Sequence, residues 1–498
     1  MSALLLLVGL PLAGCLALAA CPPAVGDRIA RWLGVVVSAA VFMLAVVISV
    51  AYDAARPDAL DTEFDWIPAL GVGFHLGIDG ISLPLVLLTA LLTFLSLLYT
   101  VGHLPAPGRP RAFVAVVLLI EVGMLGTFVA LDLLVFFVFF EVVLVPMWFL
   151  IAVWGGEGRR RSADKFILYT LLGSAVMLLG FLLVGLHAGS FDLAEIGSSP
   201  GLSSSLQLVA FLAMGLGFAV KAPMWPLHSW LPDAHTAAPT VGSVLLAGVL
   251  LKMGTYGFVR IALPVAPEGA ELAAPWLAAL GVIGILYGGL ACLAQRDLKR
   301  LIAFSSVGHM GFVLLGIATL SPAGINGALF ANIGHGLITG LLFFLVGAIK
   351  DRHGTADLDD VEQLGRGLYA RAPVLAALLA FAAVASLGLP GLAGFWGEML
   401  ALLGAYQPAP GLDAGAFRAL MVLGGLGTVL AAAYLLRMVR RVNQGAPAGP
   451  AVRDASALEL AAWAPLVVLV VVLGLAPGLL LGVTDPAVAA QVLSGGGP

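Results

Sequence analysis

Charge is scarce in this sequence. Asp, Glu, Lys and Arg make up 10% of its 498 residues, while 61% are hydrophobic. A soluble domain carries about 25% charged residues. A water-wetted surface for a chain of this length is therefore excluded, and a lipid-facing one is implied. No run of basic residues suggests nucleic acid, and a net charge of −4 says little about partners. Cysteine is scarcer still. Cys15, Cys21 and Cys292 are the three present, with no CxxC and no Cys/His cluster. Iron–sulfur and zinc ligation have no support, and no metal site is expected. No glycine-rich loop has the flanks a phosphate site needs. Cys15 closes the string LAGC, which looks like a lipoprotein cleavage site. No basic residue precedes it, however, and the apolar run continues to Ala20, so the segment reads as a first membrane helix.

What is abundant is long apolar stretches. A spanning helix needs about 20 mostly apolar residues. Such windows fall near 2–20, 32–52, 78–101, 112–130, 132–152, 166–187, 206–230, 240–262, 273–294, 301–320, 325–348, 373–405, 416–436 and 460–482. The expected fold class is an all-α polytopic membrane protein of about fourteen spans. The loops test that count. Arg56, Arg260 and Arg418 fall on one side, and Lys221 and Lys252 fall inside spans. The other nineteen of the 24 Lys and Arg follow odd-numbered spans. The basic side is expected to be cytoplasmic, with both termini outside, in a cell or inner membrane. The opposite face has an acidic loop with Asp53, Asp58, Asp61, Glu63 and Asp65. The cytoplasmic stretch 349–372 has mixed charge, and reads as a solvated connector or a docking surface for a soluble partner.

Two spans contain breakers. Span 7 reads GFAVKAPMWPLHSWLPDAH, with Pro223, Pro226 and Pro232. Span 12 reads ASLGLPGLAGFWGEM, with Gly388, Pro390, Gly391 and Gly394. Each proline removes a backbone donor and clashes with the turn before it. Broken backbone survives at membrane depth only where protein or water satisfies the freed groups. Spans five apart must run antiparallel, and paired interruptions point to inverted repeats. The expected organisation is helices 1–3 over 1–110, two inverted five-helix units over 111–262 (helices 4–8) and 263–440 (helices 9–13), and a last helix with a tail over 441–498.

Charges sit inside these spans. Glu121, Glu141, Lys221, Lys252 and Glu398 are intramembrane by position, and His309 and His335 add titratable rings. A charge at mid-bilayer costs about 2.5–3.5 kcal/mol on insertion scales, so such residues seek the bundle interior and partners. A buried lysine whose carboxylate partner approaches and recedes takes up and releases a proton. Glu141 and Lys221 are the expected switch. A static ion pair that locks helix packing is the competing reading, but the spread of titratable groups over seven spans favours a proton path. Glu121 either tunes Glu141 or bonds a helix neighbour. His228 and His235 line an access path or bond the loop, with equal weight. His103 and His187 read as interfacial.

The string VKAPMWPLHSWLPDAHTAAPTVGSVLLAGVLLKMGTYG, with DLKRLIAFSSVGHMGFVLLGI, IGHGLITGLLFFLVG and LGLPGLAGFWGEM, resembles the antiporter-like subunits of respiratory complex I. That complex is the proton-pumping NADH–quinone oxidoreductase. The resemblance covers roughly 75–480. It implies fourteen helices in two inverted repeats, and proton conduction through Glu141, Lys221 and Lys252 with His309 and His335 connecting them. Glu398, where other branches carry lysine, resembles the branch of mitochondrial subunit 4 more than the Mrp cation/proton antiporter subunits, which remain the alternative. FHLGIDGISLPLVLLT agrees with that branch, whereas Leu245 departs from it where some members carry an acid. The resemblance also implies an enzyme whose flavin (FMN), iron–sulfur clusters and quinone lie in other subunits, with no cofactor or redox chemistry in this chain. Its implied partners are other membrane subunits of complex I, including neighbouring antiporter-like ones.

Overall fold

The computed structural model describes residues 2–20, 26–197, 201–365, 367–446 and 452–495; Cys21 and Arg366 lie outside these. Among the described residues, thirteen helices are long and apolar enough to cross a membrane. The helices Pro373–Ser386 and Ala393–Tyr406 together supply one more crossing, in two pieces. The fourteen expected spans are therefore present. The most enclosed are Thr240–Val265 and Pro322–His353 (spans 8 and 11), with 94% of their apolar windows buried. Spans 1, 2, 13 and 14 bury about a third or less and form the outer wall. Polar side chains on the enclosed spans therefore face protein rather than lipid, which makes charge there tolerable.

Span 7 runs as Ser204–Lys221, breaks, and resumes as Trp230–Ala237. Pro223 and Pro226 lie in the break. Pro232 does not break anything. It sits in the first turn of the second piece, where a missing N–H has no intrahelical partner to lose. The gap is held by Trp230, whose indole N–H donates to the Val220 carbonyl at 3.0 Å. Span 12 breaks between Ser386 and Ala393. Gly388 (φ 73°) and Gly391 (φ 92°) take left-handed backbone there, while Gly394 is helical.

Four features differ from the sequence reading. Span 5 is divided at Val143 into Leu133–Val142 and Leu144–Trp154. Pro146 cannot donate to the Val142 carbonyl, so the ladder fails one turn before it. Span 8 widens to π-helix at Leu246–Leu250 and again at Phe258–Ala262, on either side of Lys252. The acidic loop after span 2 contains an antiparallel hairpin, β1 (Thr62–Ile67) and β2 (Val72–Leu76), stapled by the stacked rings of Phe64 and Phe74. Span 14 ends at Leu475, ahead of Pro477, and a further helix runs over Gly478–Gly495 where only a tail was expected.

Candidate functional site

Glu141, Lys221, Lys252 and Glu398 lie beside helix interruptions. Lys221 is the last residue of the first piece of span 7, where the helix carbonyl ends favour a cation. It is 1% exposed, and its ammonium has no hydrogen-bond partner. Its contact is the ring of Phe140, 4.7 Å from Nζ to the centroid. That is cation–π distance. Glu141 follows Phe140 at the end of the first piece of span 5, and its Oε1 is buried without a partner. The two expected switch residues thus each close the first piece of a broken span, with the Phe140 face against the ammonium. Phe136 packs edge-on against Phe181 and Phe218, and Phe218 packs edge-on against Phe140, which keeps the surroundings apolar.

Glu121, on span 4, is wholly buried with neither oxygen bonded. It has no place in the connected network described next. His228 lies in the span 7 break, edge-on to Tyr287, with Nδ1 buried and unpartnered. His235 is fully buried and stacked on Phe343 at 4.5 Å, with both ring nitrogens unpartnered. An imidazole that caps or bonds a loop would have a partner, and the His235 ring has none. His103 stacks on Tyr99 and lies 3.4 Å from Glu459.

The other half of the site is joined. Lys252, between the two π segments, is fully buried, and its ammonium donates to the Ala247 carbonyl. The same nitrogen is 2.7 Å from His335 Nδ1. The His335 ring centre lies 5.6 Å from that of His309. His309 Nδ1 is 3.0 Å from Glu398 Oε1, and its Nε2 is 3.0 Å from Ser386 Oγ. Four titratable side chains from spans 8, 11, 10 and 12 therefore form a nearly continuous line. One step lacks a direct bond, the step between the two imidazoles. A cavity of about 20 Å³ opens there, lined by His309, His335, Thr339, Ser386, Glu398 and neighbours. About 10–15 Å³ of such space holds one water. His335 Nε2, buried without a protein partner, is among the atoms such a water would satisfy.

Tautomer logic gives the line a direction. A charged Lys252 can only donate, so His335 Nδ1 accepts, and a neutral His335 then carries its proton on Nε2. That proton faces onward, toward the cavity.

The sequence placed Lys252, His335, His309 and Glu398 on one path. It did not identify Ser386, Phe140 or the Ala247 carbonyl. Ser386 sits at the very end of the helix before the span 12 break, and only the returning chain brings it to His309. Phe140 carried a usable signal, since an aromatic beside an intramembrane carboxylate is a ready host for a cation. Thr255 also bonds Asn332 at 3.0 Å and ties span 8 to span 11 one turn from Lys252.

Residues 130–424 match the family described as "NADH:quinone oxidoreductase/Mrp antiporter, TM". The chain is 40% identical over 479 residues to NADH-quinone oxidoreductase subunit M of Rhodobacter capsulatus, covering 93% of this chain and 90% of that one. Its fold superposes on a chain of respiratory complex I from Thermus thermophilus with TM-score 0.89 and 34% identity, covering 99% and 100% of the two chains. A chain of the Mrp complex from Dietzia sp. superposes with TM-score 0.84 at 23% identity, covering 99% of this chain and 98% of that one, a likeness of fold alone.

Proposed function

This chain belongs to the NADH:quinone oxidoreductase/Mrp antiporter transmembrane family, and we propose that it is the proton-translocating subunit M of a proton-pumping NADH–quinone oxidoreductase. The observation that carries the proton pathway is the line Lys252–His335–His309–Glu398, assembled from four spans in a bundle interior. Helices 4–8 and 9–13 act as two inverted units. The first holds Glu141 and Lys221, the second ends on Glu398, and Lys252 with the histidines bridges them. Glu121 stands aside. His228 and His235 supply access from the cytoplasmic side to the first unit.

The chain moves protons and does no electron chemistry. Three cysteines cannot supply the four that an iron–sulfur cluster takes. Flavin, clusters and quinone belong to neighbouring subunits, and further antiporter-like subunits adjoin this one in the membrane. The strong bias of Arg and Lys to the connections after odd spans supports a cytoplasmic basic face, with both termini outside.

Lys221 works as the switch because no bond holds it. Its ammonium rests on a π face, from which a carboxylate that approaches can draw it and a carboxylate that recedes can release it. In the assembled complex, Lys221→Ala and Glu141→Ala should each abolish most proton pumping while the complex still assembles. Full pumping in both, measured by pH-dye quenching in proteoliposomes, would sink the mechanism. Normal assembly is checked by native gels of the same preparations.

A further inference from the structure

The outer face holds a second cluster of titratable groups that proton movement does not use. We propose that His75, Asp192 and Glu63 form a zinc-binding site there. Their ligand atoms all lie within 4.8 Å of one another. Three separate segments bring them together. Glu63 on β1 is the direct cross-strand partner of His75 on β2. Side chains so paired stand on one face of a hairpin. Asp192 lies in the loop after span 6. One of its oxygens caps Ala194, and the other is left for His75 Nδ1. Asp61 reaches the opposite ring nitrogen at 3.6 Å.

Two further observations point to a cation. Asp132 is paired through its backbone with Asp192, and its Oδ2 is fully buried with no hydrogen-bond partner. A buried carboxylate oxygen left alone is costly, and a nearby cation relieves it. The outer face is also poor in protein cations. Arg56 is taken by Asp53, Arg260 by Asp79, and Arg418 lies over Tyr406. Asp61, Asp192 and Glu63 thus gather about one imidazole, and Arg260, which borders the same cavity, is held by Asp79. An open cavity of about 570 Å³, lined in part by Asp58, Asp61, His75 and Asp79, provides a route for a hydrated ion.

The donor set selects the metal. Calcium and magnesium take oxygen ligands, whereas one imidazole nitrogen with carboxylate oxygens suits zinc. Zinc bonds of about 2.0–2.2 Å imply ligand separations near 3.3 Å. The direct His75–Asp192 bond is shorter than that spacing and opens to admit the ion, while Glu63 is exposed and can swing in to meet it. A ligating nitrogen must give up its proton, so zinc displaces the proton between His75 and Asp192 to solvent. The bound ion then fastens the hairpin to the loop after span 6.

The test uses the intact complex, stripped with a chelator and then equilibrated with zinc chloride. Zinc per complex is counted by elemental mass spectrometry across a titration. Glu63→Ala and His75→Gln should each weaken one site at least about tenfold, the scale on which a lost ligand or its support acts. Unchanged zinc content and affinity in Glu63→Ala would overturn the proposal, and that exposed substitution leaves the fold in place even where His75→Gln does not. Equal competition by calcium chloride would overturn the metal assignment.

Discussion

The two halves of the buried charge array are built differently. Between Lys252 and Glu398 the side chains are bonded, ammonium to ring and ring to carboxylate, with one water-sized gap between the two rings. Between Glu141 and Lys221 the structure offers an aromatic face and unpartnered polar atoms. A bonded line passes a proton with little rearrangement, whereas an unbonded ammonium in an apolar pocket is free to respond when a charge moves. The difference teaches that conduction and switching call for opposite local structure. Both occur beside helix breaks, since only there does the backbone leave space and spare carbonyls.

This contrast can be broken experimentally. The largest effect is expected from His335→Ala, which removes the junction between Lys252 and His309. Loss of a positioned proton-transfer group costs about 10²–10⁴-fold. Pumping should fall to background, and appreciable pumping in this variant would mean the bonded half is not the path. Next comes Phe140→Ala. A desolvated cation–π contact is worth about 2 kcal/mol, a factor of about 30, so pumping should drop by about tenfold or more while Phe140→Trp retains it. Equal loss in both variants would show that packing, and not the π face, matters. Glu398→Gln should impair pumping more than Glu121→Gln, because Glu398 ends the bonded line and Glu121 lies outside it. The reverse order would place the path elsewhere.

The smallest effect concerns stability. Asp454 accepts the backbone N–H groups of Val374 and Leu375, and so caps the start of span 12. These bonds, with Arg352 nearby, hold its carboxyl below the usual value of 3.8. A depressed carboxyl stabilises the fold above its unfolded pKa, and that contribution fades as pH falls below about 3.8 toward the lowered value. Asp454→Ala should cost about 0.5–2 kcal/mol at neutral pH, as cap losses do, with assembly intact. A melting temperature identical to the parent's would show that span 12 needs no anchor at that end.

Much of the site was legible because charge in an apolar run is conspicuous. Glu141, Lys221, Lys252 and Glu398 stand alone among aliphatic neighbours, and proline or glycine announces the breaks beside Lys221 and Glu398. Other features left weaker marks. The hairpin Thr62–Leu76 is short and mostly exposed, so its alternation of Phe64, Trp66 and Phe74 was lost among acidic residues. The π segments of span 8 left none, since a register shift in a buried helix changes no residue type. Pro146 did mark the division of span 5, but a single proline is common in membrane helices.

The sequence by itself determined that this is a membrane protein of fourteen crossings with charges at membrane depth. Hydrophobic length and charge placement are one-dimensional properties, and lipid reads them directly. Only the tertiary structure decided which charges are joined. His309 reaches Glu398 across 89 residues and Lys252 reaches His335 across 83, at bonding distance in both cases. Such contacts depend on how enclosed helices rotate and where they break, which side-chain packing sets and no single segment encodes.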